Sequence, residues 1–158
     1  MKLNNKGFSL VEVLAVVVIL GVIATIMIPT IGSVINQNKE DNYKNLEKTI
    51  FNAAKLYISD NRYDIVLGGS CSENDGIREI TKIGDKNLEN GQINIKILLE
   101  EKYLSSNKII NPKNSDEELN LDNSYVVVKY NCNKRQYDYA SFSEVIDTDK
   151  SWLEWETK

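Results

Sequence analysis

Histidine is missing from all 158 residues of the chain. That absence removes Ser-His-Asp and Cys-His nucleophile systems, and every histidine-based zinc site, from the chemistry open to it. Cysteine is nearly missing as well. Cys71 and Cys132 stand far apart and neither belongs to a CxxC, so neither a redox nor a zinc motif is present. There is no basic excess: 19 Lys and Arg face 23 Asp and Glu, for a net charge of -4. A nucleic-acid partner would want a basic patch or stripe, whereas these lysines are scattered among acids as on a solvated surface. The polar residues that remain form no recognisable catalytic set, and no cofactor or metal is expected. The most informative absence is local. From Val13 to Ile35 there is not one charged side chain.

What is present starts with a short basic leader. Residues 1–7 carry Lys2 and Lys6 and no acid, and Phe8-Ser-Leu-Val-Glu12 leads into the uncharged run. As a helix, at about 1.5 Å per residue, that run spans roughly 30 Å, the thickness of a bilayer core. It is read as a single membrane span with the basic leader in the cytoplasm and the bulk of the chain outside. A secretory signal peptide fits poorly, because its apolar region would be shorter and small residues would follow at a cleavage site. Here Ile28-Pro29-Thr30-Ile31-Gly32 continues into more apolar residues. Taken by itself, the run also suits a plain signal anchor.

Polarity changes at Asn36, but the helical signal continues. Tyr43, Leu46, Ile50, Ala53 and Tyr57 recur at spacings of three and four, and Ala54 and Ile58 widen the stripe. No Gly or Pro interrupts residues 33–58. One helix is therefore expected from Phe8 to about Ser59, roughly 75 Å long, apolar all round in its first half and striped in its second.

The rest reads as a small α+β head. Gly68-Gly69-Ser70 marks a loop, and Ile77, Ile80 and Ile83 suit a short strand or turn. Ile95 to Leu104 suits a short helix, and Asn111-Pro112 a break. Tyr125 to Tyr130 is the clearest strand, with Asn131 to Lys134 as a turn and Gln136 to Phe142 as the returning partner. Trp152 and Trp155 belong to a last strand or a packed terminal segment. The acidic stretch Asp116–Asp122 lacks the spacing and glycine of a calcium loop and is expected to be a solvated loop.

Lys6-Gly7-Phe8-Ser9-Leu10-Val11-Glu12, placed before the apolar run, resembles the processing signal of type IV pilins and pseudopilins. The likeness is close over residues 6 to about 35, looser along the amphipathic helix, and only one of general layout in the head. It implies cleavage after Gly7 by an inner-membrane prepilin peptidase, which also methylates the new N-terminus at Phe8. It implies that Glu12 is the assembly carboxylate. A carboxylate in an apolar helix costs a few kcal/mol and usually has a partner. Here the partner would be the Phe8 amine of a neighbouring subunit. The alternative is a Glu near the interface that snorkels toward water. A glycine before the cut suits close approach of a peptidase to the backbone.

The layout that follows is a cleaved leader over 1–7, the transmembrane and assembly half of the helix over 8–35, its amphipathic half over 36–59, and an exported head over 60–158. The implied function is a structural subunit of a type IV pilus, serving adhesion, aggregation or twitching motility. Its partners would be like subunits, the peptidase, an inner-membrane assembly platform and the membrane. It would sit in the cytoplasmic membrane before assembly and in an extracellular pilus afterwards. A pseudopilin of a secretion or DNA-uptake machine is the alternative within the family. A membrane-anchored binding or enzymatic domain is the alternative outside it.

Pro29 removes one helix hydrogen bond and crowds the preceding turn, with Gly21 and Gly32 nearby. Family members often carry a proline here, which points to local unwinding on leaving the membrane; a tolerated kink is the plain alternative. In an oxidising exterior, Cys71 and Cys132 can close a loop of about sixty residues, worth ~4 kcal/mol. Two separate thiols, buried or idle, are the alternative. Such a bridge departs from the better-known pilin pattern, in which a disulfide bounds a loop near the C-terminus.

Overall fold

A computed structural model describes residues 9–71, 76–106, 108–142 and 149–157, apart from the side chains of 28–30. Its first element is α1 (Leu10–Asp60), a single α-helix of 51 residues. Pro29 costs the apolar run one hydrogen bond without ending the helix, and the polar stretch after Gly32 lacks Gly and Pro, so nothing local stops the helix there. Asn61 ends it. Its backbone N–H donates to the Tyr57 carbonyl at 3.1 Å, and its side-chain amide donates to the same oxygen at 2.9 Å. The chain divides into two compact units, Met1–Asp41 and Asn42–Lys158.

In the first unit every described side chain is exposed, including the large apolar ones from Leu10 to Ile35. A continuous apolar surface of this kind is far larger than a soluble monomer normally leaves in water. The helix is long and apolar enough to cross a membrane, and none of its apolar window is buried.

The second unit has a conventional core. The expected stripe is the buried face of α1: Ile50, Ala53, Ala54, Tyr57 and Ile58 are buried, with Tyr43, Leu46 and Phe51 partly so. Opposite it lies a six-stranded antiparallel sheet built from β1 (Ile65–Leu67), β2 (Ile77–Ile83), β3 (Lys86–Asn87), β4 (Gln92–Asn94), β6 (Tyr125–Asn131) and β7 (Gln136–Tyr139). Strands run in the order β1-β2-β6-β4, with β3 on β2 and β7 on β6. The Val-rich β6 is central. Its N-terminal half pairs with β4 (Val127 opposite Gln92) and its C-terminal half with β2 (Tyr130 opposite Arg78); β7 lines the other edge (Tyr130 opposite Tyr137). Val126 and Val128 join the α1 core, while Val127, also fully buried, shows that the second face of β6 is covered there.

Several expectations change in detail. The helix placed over 95–104 is shorter, α2 (Ile95–Glu100). Lys102 takes φ 63, and the Lys102 and Tyr103 N–H groups donate back to the Leu99 and Leu98 carbonyls. This is a Schellman stop with lysine where glycine is usual, so the sequence carries no sign of it. The returning strand ends at Tyr139, and Phe142 instead bridges Ser151.

The acidic stretch corrects a firmer expectation, since it is not simply a solvated loop. β5 (Glu117–Leu119) pairs antiparallel with β8 (Trp155–Thr157), and Leu119 is buried. Glu117 accepts from the side-chain amides of Asn111 at 2.6 Å and Asn114 at 2.8 Å. Its charge is spent on holding the Asn111-Pro112 break. The C-terminal tail is both things foreseen for it, a last strand and a packed segment with Leu153 buried.

Candidate assembly and processing segment

The helix opens at Ser9, whose carbonyl accepts from the Glu12 N–H at 3.0 Å and the Val13 N–H at 3.2 Å. Glu12 sits in the first turn, with its side chain exposed. A carboxylate there complements the positive end of the helix dipole. Ser9-Leu-Val-Glu12 also has the Ser-x-x-Glu spacing of a capping box, a start signal legible in the sequence. Glu12 thus stands at the helix entrance, on the lip of the apolar run and four residues after Phe8 in the sequence.

Gly7 and Phe8, the candidate cleavage and methylation residues, lie outside the described residues. So does the Pro29 side chain; α1 is helical on both sides of that position and through it. Thr25, one turn earlier, donates its hydroxyl to the Val22 carbonyl at 2.7 Å.

Cys71 and Cys132 form a disulfide across a sequence separation of 61, with Cα atoms 5.9 Å apart. The bond ties the loop after β1 to the end of β6. The Cys132 N–H donates to the Gly76 carbonyl at 2.7 Å, extending the β2–β6 ladder by one rung. A side chain at Gly76 would run into the Asn133 amide. Neither cysteine lies near the start of α1 in sequence, so the bridge is a property of the head.

Several open clefts mark the head surface, and two of them combine aromatic rings with charge mainly of one sign. One, of about 410 Å³, gathers Glu89, Asp122, Glu154, Tyr125 and Trp152 around the N-terminal end of β6. The other, of about 660 Å³, lies between α1 and β7 and is lined by Lys48, Phe51, Lys55, Tyr137 and Tyr139. Burial, reinforced by the neighbouring Tyr137, pushes the Tyr139 hydroxyl up to about 12. Hydrogen bonds from Gln136 and Asn131 hold Asp138 below the usual carboxylate range. Neither cleft was foreseen. Each is assembled from segments far apart in the chain, and no local motif announces either. Among the described residues no group of three or more His, Cys, Asp or Glu is placed to hold a metal ion.

Comparison with family models matches residues 2–28 to the prokaryotic N-terminal methylation motif, and the match stops before the head. Comparison with curated proteins and with solved structures gave no match. The motif implies processing by a prepilin peptidase and assembly from the membrane. Its residues lead directly into a helix of membrane-spanning length followed by a small antiparallel head. The chain is therefore pilin-like, carrying the N-terminal signature shared by type IV pilins and pseudopilins.

Proposed function

We propose that this chain is a structural subunit of a type IV pilus. Prepilin peptidase cuts between Gly7 and Phe8, the new Phe8 amine is methylated, and the mature subunit waits in the cytoplasmic membrane with its head outside. Polymerisation buries the apolar half of α1 among like helices, and Glu12 pairs with the Phe8 amine of a neighbour. Pro29 serves as the point where the helix unwinds on leaving the membrane. The observation that carries this reading is the continuity of the methylation motif, over 2–28, with the apolar half of α1, whose described side chains are all exposed.

The head is structural in this reading and catalyses nothing. Adhesion, aggregation or twitching would be properties of the fibre. A pseudopilin of a secretion or DNA-uptake machine uses the same N-terminal device, and the two differ in whether a long surface fibre is made. Shearing cells that express the protein, followed by mass analysis of the released material, separates them. A pilus subunit appears in the sheared fraction as a chain starting at methylated Phe8. Mature protein confined to the membrane fraction would favour the pseudopilus, and a mature chain starting elsewhere would overturn the processing assignment.

A further inference from the structure

Two clefts of the head are opposite in charge. In the first, Tyr125 and Trp152 are half-buried and surrounded by the carboxylates of Glu89, Asp122 and Glu154. Lys96 is already committed there, holding Asp122 at 2.7 Å. Glu89 and Glu154 have no ion pair among the described residues. In the second, Phe51, Tyr137 and Tyr139 are half-buried, and Lys48 and Lys55 stand exposed above them. Lys44, one turn before Lys48 on the same helix face, extends the basic row. The one carboxylate in that lining, Asp138, is taken up by Asn131, Gln136 and Lys134. Lys55 lies 5.5 Å from the Tyr139 ring centroid, so its charge is kept at the cleft rather than swung away.

We infer that the acidic cleft of one head docks on the basic cleft of the next copy of this chain. The inference rests on the pilus reading, because it describes a contact between subunits of one fibre. Charge complementarity selects the occupant: each cleft has aromatic residues of the kind that dominate interface energetics, with uncommitted carboxylates around one set and lysines around the other. The two patches differ, so the contact is heterologous and cannot close on itself as a two-fold dimer does. A heterologous contact that does not close propagates as a helical filament. The topology supports this placement. The basic cleft lies beyond the β7 edge of β6, whereas the acidic cleft sits at the N-terminal end of that strand, beside β4. One molecule thus presents both surfaces to different neighbours.

The test is charge reversal in full-length protein expressed in cells, read as sheared-fibre yield beside a membrane blot. Glu89→Lys with Glu154→Lys makes one variant, Lys48→Glu with Lys55→Glu a second, and all four changes together a third. The five aromatic residues of the two centres, and Asp122, are left as they are. Each two-residue variant should lose at least about fivefold in fibre yield while its mature level in the membrane stays normal. The four-residue variant should recover most of that loss, because the interface is restored with its signs exchanged. Yields within about twofold of wild type in both two-residue variants would overturn the docking inference and leave the pilus reading intact, as would losses that the four-residue variant fails to recover. Wild-type protein that is processed yet never enters a sheared fibre would overturn the pilus reading, and this contact with it.

Discussion

Glu12 is the residue on which assembly would turn. At the start of α1 it is exposed and close to the helix entrance, where an acid is favourable to the helix itself. Packed among apolar helices the same charge becomes costly without a partner, and removing one half of a buried pair leaves the other stranded. Glu12→Ala should permit insertion and leader cleavage but reduce fibre incorporation sharply, by about tenfold or more, the effect of a pair worth ~1.4 kcal/mol or above. A fibre-shear assay beside a membrane blot measures this. Normal fibres from Glu12→Ala subunits alone would mean that helix packing sets the register without the carboxylate.

Tyr139 makes a second residue-scale case. Its hydroxyl titrates near 12 in the folded head, against an ordinary value of 10.0, chiefly because it is buried. Between those values the unfolded chain has released a proton that the folded one keeps, so stability falls as pH rises. The contribution is whole below about pH 10 and lost by about pH 12. Melting of the mature protein across pH 9 to 12, followed by tyrosinate absorbance, should show unfolding and ionisation together. Tyr139→Phe should flatten part of that slope; Tyr57, Tyr103 and Tyr137, each also raised by burial, would supply the remainder.

At the scale of elements, the turn into β4 is held by Gly91. It has φ +70, and a Cβ there would come closer than 3.0 Å to the Val128 carbonyl oxygen. That oxygen belongs to β6, and the Val128 N–H donates to the Gly91 carbonyl at 2.9 Å. Gly91→Ala should therefore destabilise the head by about 2 kcal/mol or more, combining left-handed strain with a backbone clash. Gly84 has φ +57 but nothing within 4 Å, so Gly84→Ala should cost only the strain, about 1 kcal/mol. Denaturant titration of the two variants separates the effects, and equal losses would refute the close-approach argument. The stripe of α1 sets a parallel expectation. Ile50 is fully buried, and Ile50→Ala should cost roughly 2–5 kcal/mol by the same measurement.

For the whole head, the Cys71–Cys132 bond closes a covalent loop across a sequence separation of 61, enclosing β2 to β6. In the chain-entropy view it stabilises by about 4 kcal/mol, by restricting the unfolded chain. Reduction of mature protein should lower the melting temperature substantially while leaving far-UV helix content unchanged below the transition. An unchanged melting temperature would show that the β2–β6 ladder holds this region unaided.

The apolar run and the stripe of α1 were legible because each depends on neighbours within a turn or two. Charge absence from Val13 to Ile35 and the three-four spacing from Tyr43 to Tyr57 decide a helix and its buried face without reference to anything distant. The β6–β7 hairpin was legible for the same reason, a short turn between β-branched and aromatic runs. Tertiary structure decided what the sequence left open. Cys71 meets Cys132 because β2 and β6 pair, and the Glu117 segment becomes a strand because Trp155–Thr157 arrives beside it. The two charged clefts likewise come from packing between remote segments, whereas the α2 stop at Lys102 is a local turn that no glycine announces. Periodicity records what one element needs to bury; it does not record which other element will cover it, because that choice is made by contacts whose partners lie tens of residues away.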